Sequence, residues 1–134
     1  MADARTGVEA DTVTKISNRS VRETVARLTD LVAARGMRLF GVIDQAAEAR
    51  KVGLQLRETT LVIFGSPVAG TPMMAAEPLA ALDLPLKVLI WADGAQTKVS
   101  YDAPAAVARR RALTPELVAK LAGIDGLTDA VVAK

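Results

Sequence analysis

Two apolar runs separated by a segment of small residues constrain this chain more than any other feature. The runs, 59–65 and 86–92, are short, rich in β-branched residues and bounded by Gly, Pro and Asp, which is typical of buried strands. Between them, Gly65-Ser-Pro-Val-Ala-Gly70-Thr71 is predicted to be a loop that precedes a helix. This loop is the segment best suited to hold a ligand, although it contains no complete catalytic motif.

Hydrophobic periodicity and capping signals predict the remaining elements. Further strands are predicted at 11–17, 37–43 and 98–102, and helices after Ser20, at 45–52, at 104–112, after Thr114 and at 125–132. Ser20 and Glu23 have the spacing of a capping box, and Asp93-Gly94 is a hairpin signal. The order β-α-β-β-β-β-α predicts a single α+β domain over 11–134, with a mostly antiparallel sheet and helices packed on one face. Residues 1–10 are small and polar and are predicted to form a disordered tail.

Composition excludes several classes of function. The chain of 134 residues has no Cys and no His, so disulfides, thiol catalysis and the commonest metal ligand are absent, and we expect no metal and no cofactor. Its net charge of +2 is too small to indicate nucleic-acid binding, and Arg109-Arg110-Arg111 is interpreted as a solvated helix end. No apolar run approaches membrane-spanning length and no leader pattern opens the chain, so we expect a cytoplasmic protein with no membrane partner.

The predicted loop resembles a phosphate-binding loop in its glycine spacing only. Gly65 and Gly70 are spaced as in GxxxxG, but Thr71 stands where the phosphate-binding Lys is required and Pro72 where the magnesium-binding hydroxyl is required. A nucleoside triphosphatase is therefore excluded. Ser66, Gly70 and Thr71 remain candidates for hydroxyl and amide contacts to an anion. The simpler alternative is a turn that needs small residues.

Three further side chains are candidates for a site, each with a structural alternative. Asp44 forms an i,i+4 carboxylate pair with Glu48 of the kind that binds a hard cation or shares a proton, or it is simply an N-cap. Lys87 lies within a mainly apolar strand and offers its charge to a ligand, to Asp83 or to Asp44, or its ammonium reaches the sheet edge. The expected hairpin register brings Tyr101 close to Lys87 as an acid–base or oxyanion-binding pair, although Tyr at a strand end is also ordinary.

Short motifs in a fixed order resemble a widespread bacterial family, domain of unknown function 302. The resemblance runs from about Val13 to Leu113 and rests on these motifs: Ile43-Asp44-x-Ala46-x-Glu48-Ala49, Gly53-Leu54, Phe64-Gly65-x-Pro67, Gly70-Thr71, Leu82-Asp83-Leu84-Pro85-Leu86-Lys87 and Tyr101. It implies a curved antiparallel sheet with helices, often in a homodimer, and it implies no activity.

The chain departs from that family at three positions. Gln45 follows Ile43-Asp44 where many members have His, and Ser66 stands where many have Asn. Arg110-Arg111 occupies the late region where many members carry a His after an Arg. If those histidines bind metal or transfer protons in other members, this chain cannot do so, because it has no His.

The leading hypothesis is a homodimeric, non-catalytic module that binds a small anionic ligand through Asp44, Ser66, Gly70, Thr71, Lys87 and Tyr101. One alternative is a cofactor-free isomerase or lyase that uses Tyr101 with Lys87 or Asp44 as acid and base. Another is a protein-interaction domain with Met73 and Met74 at its interface.

Overall fold

A computed structural model describes residues 11–134, and the tail predicted at 1–10 lies outside the described residues. The elements in chain order are β1 (Thr12–Ser17), α1 (Val21–Ala34), β2 (Arg38–Asp44), α2 (Gln45–Lys51), β3 (Thr59–Gly65), α3 (Pro67–Ala76), a 3₁₀ turn (Pro78–Leu82), β4 (Leu86–Asp93), β5 (Gln96–Asp102), α4 (Pro104–Arg111), α5 (Pro115–Leu121) and α6 (Gly123–Val132). This architecture confirms the predicted α+β fold. That 11–134 is one domain stays a prediction.

The sheet has five antiparallel strands in the order β1-β5-β4-β3-β2. The predicted hairpin joins β4 to β5, where Asp93 pairs with Gln96 and Gly94 adopts a φ of 60° that favours glycine. On β2, Leu39 pairs with Phe64 and Gly41 pairs with Ile63, so Phe40 is an extra residue in a bulge. A bulge bends its strand and redirects the side chain it carries.

The helices α1 and α6 pack on one face of the sheet and bury the main core. Helix α1 begins with the predicted capping box, in which Ser20 accepts from the amide of Glu23 at 3.0 Å and Glu23 accepts from the amide of Ser20 at 3.1 Å. Apolar residues recur at helical spacing along α1 and alternate along the strands, so both surfaces are apolar where they meet. The main cluster contains Val21, Leu28, Val32, Val62, Phe64, Val88, Ile90, Val99, Tyr101, Ile124, Leu127 and Val131.

A second, smaller core lies beside one end of the sheet. Its buried members are Met73, Ala80, Val107 and Leu121, which come from α3, the 3₁₀ turn, α4 and α5. Leu86, at the start of β4, packs against both clusters. The two cores therefore meet where β3 ends and β4 begins.

The opposite face of the sheet carries several large apolar side chains that belong to neither core. Pairing across the strands and alternation along them place five large side chains on it, and we call this surface the open face: Ile43, Leu61, Ile63, Leu89 and Trp91. Ile43 is 37% exposed, and none of the five is a member of either cluster. An apolar surface of this kind is where soluble proteins form contacts with other molecules.

Candidate functional site

A cavity of about 450 Å³ opens at the end of the sheet where the two cores meet. Buried core residues form its floor, and these include Phe64 from β3 and Leu127 from α6. One wall is α3, and another is the segment Leu84–Leu86 that leads into β4. Its volume lies within the range of about 300–1,000 Å³ that is typical of small-molecule sites.

Helix α3, which forms one wall, differs from the sequence prediction. A loop was predicted over its first residues, but Pro67–Ala76 is helical throughout. Ser66 is its N-cap and accepts from the amide of Ala69 at 3.3 Å, and Pro67 occupies a first-turn position where its missing N–H costs nothing. Pro72 lies inside the helix and deprives the carbonyl of Val68 of a partner. Val68 is 86% exposed, so solvent is close to that part of the helix.

Glycines bring the walls of the cavity close together. A Cβ on Gly70 would lie 3.8 Å from Leu84 Cδ1 and 3.9 Å from Met74 Cε, so the bare backbone leaves room between two lining side chains. A Cβ on Gly65 would lie 3.9 Å from Phe40 Cε2, the ring that the β2 bulge directs to the cavity. A larger side chain at Gly70 would therefore fill the space at this wall.

The charge on the cavity lining is entirely positive. Arg35, after the last residue of α1, and Lys120, near the end of α5, are the two ionisable lining residues. Both are exposed although they line the cavity, so they lie at its mouth. Within residues 11–134 neither side chain forms an ion pair or a hydrogen bond. Two cations that face an apolar cavity and lack an acidic partner there favour an anionic ligand.

Three of the six predicted site residues line this cavity. They are Ser66, Gly70 and Thr71, all from the segment at the start of α3. Their participation in binding stays a prediction. The hydroxyl of Ser66 is already engaged in capping α3, whereas Thr71 is exposed.

The other three predicted residues lie elsewhere and apart from one another. Asp44 is the N-cap of α2 and accepts from the amide of Ala47 at 2.9 Å. Lys87 stands opposite Ile63, on the same side of the sheet as the open face. Its ammonium donates to the carbonyl oxygens of Asp83 and Pro85 at 3.4 and 3.2 Å.

Tyr101 belongs to the main core instead, and its phenol donates to the carboxylate of Asp125 on α6. Tyr101 and Lys87 thus point to opposite faces of the sheet. The predicted pair is wrong, because Leu89 pairs with Ser100 and the next residue, Tyr101, falls opposite Val88. Tyr101 and Lys87 are therefore not in contact, as the acid–base hypothesis for this pair would require.

The polar cluster around Tyr101 raises the pKa of both Tyr101 and Lys15. Burial raises the pKa of the Tyr101 phenol, and the hydrogen bond to Asp125 raises it further. Burial alone would lower the pKa of Lys15, but hydrogen bonds to Asp129 and Tyr101 outweigh it and leave that pKa raised. Lys15 Nζ lies 2.6 Å from Thr128 Oγ1 and 2.8 Å from Asp129 Oδ1. These contacts join β1 and β5 to α6, which is a structural role.

An ion-pair cluster missed by the sequence analysis fixes one cavity wall. Arg110 Nη2 and Arg111 Nε donate to the carboxylate of Asp83 at 2.7 and 2.6 Å. Burial alone would raise the pKa of Asp83, but the hydrogen bonds and charges of the two arginines hold it below its usual range. The run at 109–111 is thus not simply solvated. The carboxylate of Asp83 pairs with Arg110 and Arg111, whereas Lys87 contacts only its backbone carbonyl.

Fold and cavity together define an α+β domain with a small-molecule-sized apolar cavity and a cationic mouth. The sequence model of the family described as domain of unknown function DUF302 matches residues 13–131, so the chain belongs to this family. The crystal structure of an uncharacterized conserved DUF302 protein from Bacillus stearothermophilus has the same fold. It matches with a TM-score of 0.77 at 17% sequence identity, over 91% of this chain and 95% of that one.

Longer proteins with a different name also match. Fluoride-specific ion channel FluC 1 of Brucella suis is 36% identical over 107 residues, which are 79% of this chain and 42% of that protein. FluC 2 of Brucella melitensis is 36% identical over 107 residues and 40% of its length. The chain thus spans about two-fifths of the curated relatives that it matches. In the described part of this chain, no helix has the length and apolar character needed to cross a bilayer.

Proposed function

We propose that this domain binds a small anionic ligand in the cavity beside α3, without catalysing a reaction. The observation that carries the proposal is the combination of an apolar space of about 450 Å³ with two cations at its mouth, Arg35 and Lys120. Apolar lining supplies affinity, and the few polar groups at the rim select the charge and orientation of the ligand. Ser66, Gly70 and Thr71 contribute one side of the mouth.

The test is a titration with anilinonaphthalene sulfonate, an anionic apolar dye whose fluorescence rises in apolar sites. We expect saturable binding to the wild-type protein at one dye per chain. Gly70→Leu places a side chain between Leu84 and Met74 and should weaken binding at least about tenfold, a loss of about 1.4 kcal/mol. Ala75→Leu adds the same side chain to an exposed position of α3 outside the cavity and should bind as the wild type does.

Circular dichroism melts establish that each variant is folded. If Gly70→Leu fails to fold, Ala69→Leu fills the same wall, because Ala69 also lines the cavity. Equal dye binding by the wild type, a folded cavity-filling variant and Ala75→Leu would contradict the proposal. An absence of saturable binding to the wild type would also contradict it.

We also propose that the protein is a homodimer in the cytoplasm, joined through the open face. Support comes from the large apolar side chains of that face, among them Leu89 and Trp91, which neither core covers. Trp91 Nε1 donates to Ser100 Oγ at 3.0 Å, so the indole lies against the sheet, and Lys98 Nζ lies over its ring at 5.4 Å from the centroid. Aromatic residues of this kind are enriched in protein interfaces.

The match to proteins named fluoride-specific ion channels favours a second candidate, a ligand-sensing domain that accompanies a channel. The match covers 107 residues and only about two-fifths of those proteins, so it concerns a part of each. Amide chemical shifts during titration with sodium fluoride, compared with sodium chloride at equal ionic strength, test whether fluoride is the ligand. Saturable shifts specific to fluoride would favour this candidate, and identical responses to both salts would remove fluoride as the ligand.

A further inference from the structure

The distribution of polar groups in the cavity restricts the ligand to one with a single charged end. The lining residues with polar side chains are Arg35, Ser66, Thr71 and Lys120. Ser66 caps α3, and the other three are exposed at the mouth, so the deeper lining is apolar. A polar group of the ligand placed deep in the cavity would lose its water without gaining a partner, at a cost of about 1–3 kcal/mol. Sugars and nucleosides, which carry several such groups, fit poorly.

The interior suits a flexible chain better than a rigid ring system. Met73 and Met74 line the cavity from α3, and Met73 is only 1% exposed. Methionine side chains are unbranched and adjust to different apolar shapes. Leu84 faces them from the segment before β4, at the narrow place where Gly70 has no side chain. A linear hydrocarbon can pass through this space and contact aliphatic atoms on both sides.

The mouth suits a carboxylate. Arg35 and Lys120 both line it, and the lining contains no Asp or Glu. The guanidinium of an arginine pairs with a carboxylate through two parallel hydrogen bonds, and an ammonium adds a second positive charge. Both cations are exposed, so the attraction is moderate and is screened by salt. Affinity must then come mainly from the hydrocarbon, with the charge setting its orientation.

We propose that the ligand is an unbranched aliphatic carboxylate, a free medium-chain fatty acid. Its chain lies in the cavity between α3 and Leu84, and its carboxylate lies between Arg35 and Lys120. This inference rests on the proposed function and specifies its ligand. The cavity volume of about 450 Å³ lies toward the lower part of the range for small-molecule sites, which favours a chain of medium length.

A homologous series of straight-chain carboxylates, from hexanoate to tetradecanoate, tests the proposal by calorimetry and by displacement of the dye. Affinity should rise about fourfold for each added methylene, because burying one contributes about 0.8 kcal/mol. The rise should stop once the chain fills the cavity. Gly70→Leu should shift that limit to shorter chains, whereas Ala75→Leu should not.

The charged end is tested by comparing decanoate with decanol in cation variants. The double variant Arg35→Gln with Lys120→Gln should weaken decanoate binding about tenfold and leave decanol binding unchanged. Arg22→Gln removes a cation from an exposed position of α1 that does not line the cavity, and it should change neither affinity. Equal affinity of the wild type for decanoate and decanol would overturn the proposed head group.

Further outcomes separate this inference from the proposed function. If the dye binds the wild type but not the cavity-filling variant, and no carboxylate displaces it, the fatty-acid proposal is overturned while anion binding in the cavity stands. If the dye does not bind, both fail. Vesicles of phosphatidylglycerol test whether the protein binds a lipid surface instead of a free acid. Association with vesicles without binding of free decanoate would assign the chemistry to a lipid surface and overturn the proposal of a free acid.

Discussion

Asp83 is the residue that connects the cavity wall to the rest of the fold. Its side chain is 11% exposed and accepts from both Arg110 and Arg111 on α4. The next residues, Leu84–Leu86, form the wall and enter β4. A carboxylate removed from water needs such partners, because an unpaired one would be strongly destabilising. The position of the wall therefore depends on this cluster.

Asp83→Asn should lower the free energy of unfolding by about 2 kcal/mol at neutral pH, since hydrogen bonds to a charged group contribute about 1.5–3 kcal/mol. The folded state lowers the pKa of this carboxyl, so its contribution is present above the unfolded value and is lost as pH falls through the folded value. The difference between wild type and variant should shrink below about pH 4. Urea unfolding of both proteins at several pH values measures this difference in the free energy of unfolding.

The matched control for Asp83 is Asp102, which also contacts Arg110. That pair is 3.4 Å apart and the Asp102 side chain is 55% exposed, so Asp102→Asn should change stability by less than about 1 kcal/mol. A difference between wild type and Asp83→Asn that stays constant from pH 7 to pH 3 would show that the charge of Asp83 does not stabilise the wall.

At the scale of elements, α3 shows where sequence patterns stop being informative. Strong local signals predicted α1 and the hairpin, because the capping box and the Asp93-Gly94 turn are chemical features of a few adjacent residues. Helix α3 contains Pro72 and Gly70, both poor helix formers, and the segment was predicted to begin as a loop. It is helical because Ser66 caps it and Met73 packs in the second core. That packing depends on α4 and α5, which no local pattern shows.

Strand pairing explains why three of the six predicted site residues do not line the cavity. The β4–β5 hairpin and a mostly antiparallel sheet were predicted, but the expected register placed Tyr101 close to Lys87, and a shift of one residue moves every side chain to the other face. The side chain of Tyr101 therefore packs in the main core and does not lie beside Lys87. Arg35 and Lys120 were missed for a related reason, because each is an ordinary surface cation in sequence and only the fold brings both to one cavity. Ser66, Gly70 and Thr71 do line the cavity, and they could be singled out because their segment lies between two strongly apolar strands.

At the scale of the whole molecule, the sheet separates two surfaces for which we propose different roles. The face covered by α1 and α6 holds the main core, and the cavity opens at its end beside the second core. The open face is the surface through which the proposed homodimer would form. Because the cavity and the open face lie in different places, we expect substitutions to change the proposed dimer formation and the proposed ligand binding separately.

Sedimentation velocity over a range of concentrations tests the homodimer. We expect the wild type to sediment as a dimer, and Leu89→Lys to dissociate at a concentration at least about tenfold higher, since it places a charge in an apolar contact. Val68→Lys makes the same kind of change at a position that is 86% exposed on α3 and should leave the dimer intact. A wild-type monomer at every concentration, or a Leu89→Lys dimer as stable as the wild type, would contradict the open-face interface.

The most direct test of ligand binding in the cavity is native mass spectrometry of protein purified gently from its own host. The wild type and Ala75→Leu should carry the same reproducible extra mass, one per chain, and Gly70→Leu should lack it. Ligand released by denaturation should be anionic. An extra mass retained in folded Gly70→Leu, or a wild-type protein that is free of added mass and binds no anionic amphiphile offered to it, would contradict the account.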